Sequence, residues 1–223
     1  MSLNLNVVHI GKCGGGSVKH AISQSSILSE KFKNIKITHI KKAKFSSNES
    51  YLIIIRHPVE RALSAFNWRY HLVVQTEQQK SRFRGEWLIL KKYATLNSMA
   101  EKLYCPSTSS LNKTVSREFR SIHHLREDIC FYLADVLKHV NPKQIYGVVK
   151  QHSLAFDCQL LLGPCGDIKH DKKHGDSVDP SRKNLSVQAK RNLRRFLHED
   201  FACILKLYNI GAIDWDDYEI LTR

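Results

Sequence analysis

The sequence predicts an α/β fold: a short parallel β-sheet flanked on both faces by helices. Three observations carry that expectation. Strand-like and helix-like segments alternate from the N-terminus. The run Leu52-Ile53-Ile54-Ile55 is apolar throughout, as in a strand buried on both faces. A glycine-rich turn, Gly11 to Ser17, joins the first strand to the first helix.

Leu5 to Ile10 is β-rich and forms the first predicted strand, and Val18 to Leu28 the first helix. Ile35 to Ile40 alternates apolar and polar residues and reads as a second strand. Phe45 to Ser50 is a polar loop before the buried strand Tyr51 to Ile55. Pro58 suits a helix start, and Val59 to His71 continues it. Gln75 to Glu86 reads as loop, Leu88 to Tyr104 contains a helix, and Cys105 to Thr114 is a Ser/Thr/Asn/Pro loop. Ile129 to Val140 is amphipathic and stops before Pro142. A strand over Gln144 to Val149 and a helix over Ser153 to Leu162 follow. Gly163 to Lys183 reads as a basic loop. Leu185 to Tyr208 then carries the strongest helical periodicity, with Leu193, Phe196, Phe201 and Ile204 among its apolar stripe.

The chain has 223 residues, a length that fits one domain over 1–223. Hydrophobic residues make up 42% and charged residues 25%, which excludes a wholly disordered chain. No apolar run approaches the ~20 residues of a membrane span, and the first ten residues lack the basic start of a signal peptide. Six cysteines without a C-x-x-C pair suit a reducing compartment, so a cytoplasmic protein is expected. A net charge of +14 attracts polyanions: nucleic acid, anionic membrane, nucleotide phosphates or sulfated substrates.

Two segments carry chemistry. In His9-Ile10-Gly11-Lys12-Cys13-Gly14-Gly15-Gly16-Ser17-Val18 a strand passes through glycines and one lysine into a helix. Glycines let backbone N–H groups approach an anion, and the helix N-terminus adds its positive dipole end. The lysine precedes the glycines, unlike the P-loop of ATPases and GTPases. In the second segment Arg56 closes the buried strand at the sheet edge where open α/β sheets bind ligands. Arg61 and Ser64 follow, one turn apart on the next helix.

Together the two segments resemble the sulfotransferases that use 3′-phosphoadenosine 5′-phosphosulfate (PAPS). Gly11 to Ser17 matches a first motif of the form P-K-x-G-(G/T)-T/S, with Gly11 in place of proline and Gly16 where threonine is common. Arg56 to Phe66 matches a second motif, R-x-P-x-x-R-x-x-S-x-(F/Y), at every named position. His124 to Leu133 and the basic helix from Leu185-Ser186 to Tyr208 resemble elements of carbohydrate-type members. The resemblance implies a three-layer, P-loop NTPase-like sulfotransferase fold. It implies transfer of a sulfuryl group from PAPS to a hydroxyl, with a carbohydrate as the expected acceptor and the 3′,5′-bisphosphate nucleotide (PAP) as product.

By the same resemblance, Lys12, Cys13, Gly14, Gly15, Gly16, Ser17 and Val18 hold the 5′-phosphosulfate, and Lys12 stabilises charge on the leaving phosphate. Arg56, Arg61 and Ser64 belong to the 3′-phosphate motif. Lys173, in a loop similar to one that closes over the nucleotide, is a further 3′-phosphate candidate. The acceptor must lose a proton, so a base is expected. His39, at the end of the second strand, and His124 are the named candidates among twelve histidines. Trp68, Tyr70, Phe83 and Trp87 are candidates for stacking on sugar rings or for filling core.

No metal is expected. The spacing of Cys158, Cys165, His170 and His174 lacks the close cysteine pairing of structural zinc. The rival classes are a basic nucleic-acid-binding protein, supported by the charge alone, and a nucleotide-binding protein without catalysis.

Overall fold

The structure, a computed structural model, describes residues 4–164 and 179–223. The chain is arranged as two compact units that alternate along it. One comprises residues 4–57, 129–164 and 199–223. The other comprises residues 58–128 and 179–198.

The first unit is built on four parallel strands: β1 (Asn4–His9), β2 (Asn34–Thr38), β3 (Glu49–Ile55) and β4 (Ile145–Lys150). Their order across the sheet is β2-β1-β3-β4. Val7 faces Leu52 and His9 faces Ile54 in the β1/β3 register, and Ile54 faces Val149 in the β3/β4 register. Leu52 to Ile55 are buried, which explains the unbroken apolar run. β2 lies at an edge and is mostly exposed, hence its alternating pattern.

Helices flank this sheet: α1 (Gly15–Gln24), α2 (Ser26–Lys31), α7 (Ile129–His139), α8 (Leu154–Leu162), α10 (His198–Asn209) and α11 (Trp215–Thr222). Tyr132, Leu133 and Val136 of α7, Cys158 of α8, and Ile204 and Leu207 of α10 join the strand residues in one core. Buried Asp200 accepts the Cys130 N–H at 2.8 Å, so its carboxylate serves the start of α7, where negative charge suits the helix dipole.

The second unit contains α3 (Pro58–Tyr70), a π-helical turn (His71–Gln75), α4 (Glu86–Tyr93), α5 (Leu96–Glu101), α6 (Lys113–Phe119) and α9 (Val187–Phe196). α9 is capped by Ser186, whose Oγ accepts from Ala189 N–H at 3.1 Å. Asn192 of α9 donates to the Ala100 carbonyl of α5 at 3.0 Å. At the centre Arg69 and Glu86, with side chains 1% and 0% exposed, form a two-pronged pair: Nε to Oε1 at 2.9 Å and Nη2 to Oε2 at 2.6 Å.

Three helix assignments differ from the sequence reading. The helix predicted within 88–104 is two helices, parted where Ala94 turns left-handed (φ 58°) and Thr95 caps α5. The predicted helix over 185–208 breaks at Leu197, whose ψ of 24° leaves the helical range; the apolar stripe runs across the break and conceals it. The first helix starts at Gly15, ends at Gln24 and restarts at Ser26, because Ser25 is extended and caps α2. α6 and α11 were not predicted. Each begins at a side-chain cap, Asn112 and Asp214 respectively.

Candidate functional site

The strand order makes β1 the point where the connections change direction: the chain leaves it for β2 on one side and returns to β3 on the other. Ligands of open α/β sheets bind at the carboxyl ends of the strands at such a point. The glycine-rich turn leaves β1 there, and Arg56 follows the last residue of β3.

Two residues of that turn are left-handed, Lys12 (φ 70°) and Gly14 (φ 89°). Glycine adopts this region freely, whereas a lysine there costs roughly 1–2 kcal/mol. Strain of this kind clusters at ligand sites. Gly14 is the N-cap of α1 and supplies no side-chain cap, and the first turn of α1 carries no acidic residue. The helix start is therefore suited to an exogenous anion. Cys13 and Val18 are completely buried, so neither presents its side chain to a ligand.

The structure adds a residue that the sequence reading missed. The imidazole of His9 lies directly over Gly15: a Cβ at Gly15 would come within 1.9 Å of His9 Cδ2 and Nε2. His39 stacks on His9, with ring centroids 4.0 Å apart and planes 15° apart. His39 Nδ1 lies 2.9 Å from the His9 carbonyl oxygen. A carbonyl only accepts, so Nδ1 carries the proton and Nε2 is the acceptor nitrogen of the neutral ring. Burial, then the neighbouring His39 and Lys19, lower the pKa of His9 from 6.5 to about 4. His9 is therefore a neutral ring that touches both the glycine-rich turn and His39. Its signal in the sequence is only its place at the end of β1, since its contact with Gly15 needs the folded backbone.

Arg61 and Ser64 lie on α3 of the second unit. The pairing of Arg61 with a 3′-phosphate is corrected here. Arg61 is 0% exposed, and its Nη1 donates to the carbonyls of His124 (2.9 Å) and Glu127 (3.2 Å). It clamps the backbone of segment 124–127. Ser64 is half-buried.

His124, the second base candidate, is half-buried and adopts φ 67°. That left-handed turn brings its ring 4.2 Å, centroid to centroid, from the ring of His123. Glu127 completes the group. Its Oε1 receives Arg126 (Nε at 2.8 Å) and its Oε2 the His124 N–H at 2.7 Å. Burial raises the Glu127 pKa, but contacts with His123, Arg126 and the His124 N–H outweigh it and leave the carboxyl at about 2. Lys173 lies outside the described residues, as do Cys165, His170 and His174.

The aromatic candidates have partners on their faces. Arg182 sits 3.5 Å from the Tyr70 ring centroid, His123 stacks on Phe83 at 4.6 Å, and Lys80 and Lys91 lie over Trp87 at 4.9 and 4.6 Å. Trp68 stacks on His71, centroids 6.2 Å apart. A separate cavity of about 280 Å³ is lined by Tyr104, Cys105, Ser109, Gln188, Arg191 and Arg195 among others. Hydrogen bonds from Ser107 and Thr108 lower the Cys105 thiol pKa from 9.0 to about 6.

Fold and site together define an α/β protein with a parallel sheet and an anion-suited turn at the carboxyl end of its first strand. Comparison with protein-family models, with curated proteins and with solved structures finds no match.

Proposed function

We propose that the chain is a PAPS-dependent sulfotransferase acting on a hydroxyl, in keeping with the motif resemblance, and that its acceptor is a carbohydrate. The observation that carries the reading is the meeting, at the carboxyl end of β1, of the Lys12 turn with the His9–His39 stack. The turn holds a strained lysine and an uncapped helix start, its Gly15 lies against His9, and His9 stacks on His39.

In this reading the turn and the first amides of α1 hold the 5′-phosphosulfate, and Arg56 binds the 3′-phosphate. The acceptor hydroxyl attacks sulfur in line. The bond from sulfur to the bridging oxygen breaks, and that electron pair stays on the phosphate, where Lys12 stabilises it. His39 Nε2 takes the hydroxyl proton. His9, neutral because of its low pKa, places no second positive charge beside the imidazolium that His39 becomes. Transfer of this kind is electrostatic positioning chemistry.

The test is calorimetric titration with PAP beside ATP, in wild type and Arg56→Ala. Micromolar binding that needs both the 3′-phosphate and Arg56 supports the reading. Equal binding of ATP, or salt-sensitive binding of any DNA or RNA in place of PAP, overturns it. With an acceptor found among a glycan panel, Lys12→Ala is expected to lower turnover by at least ~100-fold, roughly 2.7 kcal/mol of transition-state stabilisation.

A further inference from the structure

His123, His124 and Glu127 of the second unit form a cluster with no part in the reading above. Each offers one ligand atom, and these atoms lie within 4.8 Å of one another. We propose that they form a binding site for a divalent transition-metal ion of the zinc type, with two imidazole nitrogens and one carboxylate oxygen as ligands and a fourth position open.

Four observations carry the proposal. Consecutive side chains ordinarily diverge, yet these two imidazoles lie 4.2 Å apart with their planes tilted by 33°. The cause is the left-handed backbone at His124, a non-glycine strain of the kind kept at functional sites. Arg61 holds that backbone in place through its two carbonyl contacts. The second observation is a buried ring nitrogen outside the hydrogen-bond network. His123 is 6% exposed, and its Nδ1 is buried without a hydrogen-bond partner. Nδ1 lies 3.1 Å from Glu127 Oε2, but not in hydrogen-bonding geometry. That separation is close to the ligand–ligand edge of a tetrahedral ion with bonds of ~2.0–2.2 Å.

Third, the carboxylate has capacity left. Arg126 occupies Oε1, and the His124 N–H takes only one lone pair of Oε2. Contacts of this kind orient metal-binding carboxylates in general. Fourth, the ligand types are right: two imidazoles and a carboxylate match zinc and its neighbours better than magnesium or calcium, which favour oxygen alone. Of the two cationic neighbours, one meets a carboxylate and the other is held by main-chain dipoles. Arg126 is paired with Glu127, and Arg61 is engaged by backbone carbonyls. With three protein ligands the site has the count of a zinc centre that keeps one position for water or an anion. His124 then serves the metal, which leaves His39 as the base of the proposed transfer.

The experiment titrates the metal-free full chain with zinc chloride by calorimetry and with cobalt(II) chloride by visible absorption. The expected result is one equivalent bound with Kd at or below ~1 μM and the visible bands of low-coordinate cobalt. His124→Ala and Glu127→Gln should each weaken binding by more than ~100-fold, beyond the loss typical of an outer-shell change. His170→Ala/His174→Ala, which removes the other closely spaced histidines, should leave binding intact. Circular dichroism checks that each variant is folded. If Glu127→Gln does not fold, His124→Ala alone decides. Absence of a stoichiometric site, or equal affinity in wild type and His124→Ala, overturns the proposal. PAP titration of the same samples keeps this outcome separate from the sulfotransferase reading, since loss of either binding leaves the other intact.

Discussion

Gly15→Ala tests whether His9 is built into the anion-suited turn. A methyl at Gly15 would lie 1.9 Å from two atoms of the His9 ring and 2.5 Å from a third. Ordinary contact needs about 3.4 Å or more, so the ring has to move by more than an ångström. That displacement breaks the 4.0 Å stack on His39. Over-packing of this size costs about 1–3 kcal/mol, partly offset by the better helix propensity of alanine, worth up to ~1 kcal/mol. The net expectation is a loss of about 1–2 kcal/mol, or roughly 2–8 °C in Tm at ~2–4 °C per kcal/mol for a chain of this size.

The assay is urea unfolding of wild type, Gly15→Ala, His9→Ala and the double variant. If the clash is with His9, Gly15→Ala becomes neutral or slightly stabilising once the ring is gone, and the cycle shows a coupling equal to the clash, about 1–3 kcal/mol, within the range for residues in contact. An equal cost of Gly15→Ala with and without the His9 ring refutes the contact and, with it, the placing of His39 beside the turn.

Three further expectations follow from other parts of the molecule. Cys105 should react with iodoacetamide in step with a thiol of pKa about 6, followed by mass spectrometry of its peptide, and Ser107→Ala should move that midpoint toward 9.0. Glu86→Gln should cost ~3–5 kcal/mol by urea unfolding because it leaves the buried Arg69 charge without its carboxylate, while Arg69→Met/Glu86→Leu should recover part of the loss, the His123 N–H still lacking its 2.9 Å acceptor. His9 has a folded pKa near 4 against an ordinary 6.5, so its contribution is complete above pH 6.5 and is lost as the pH falls toward 4. The ceiling of that contribution is ~3 kcal/mol, and His9→Gln should remove this part of the acid sensitivity of unfolding measured between pH 7 and 4.5.

The strands were legible because burial on both faces writes an unbroken apolar run, as in Leu52 to Ile55. The turn was legible because a cluster of glycines between strand-like and helix-like segments marks a tight change of direction. Helix breaks were not: the stripe through Leu193, Phe196, Ile204 and Leu207 continues across Leu197, and only the backbone reveals the kink. Arg61 was misread for a related reason. An arginine one turn before a serine has the same spacing whether it faces a phosphate or two carbonyls of its own chain, and burial decides between them. His9 and His123 were missed because their meaning lies in neighbours that local spacing does not reveal: Gly15 and His39 for one, a left-handed His124 for the other.

Buried charge in this protein works mainly on backbone. Arg61 ties down two carbonyls, Asp200 takes the Cys130 N–H, and Asp157 takes the Lys150 N–H at 2.7 Å. Each is a charge-assisted bond to a group that secondary structure leaves over, and each would be costly to orphan. Such residues raise the count of motif-like charges in a sequence without adding to its binding surface. Lys12 has a different environment: half-buried, strained, and in a turn whose helix start has neither a side-chain cap nor an acidic first turn. A net charge of +14 describes both kinds of residue alike. The argument for anion chemistry therefore rests on backbone geometry at Lys12 and Gly14 rather than on the total charge.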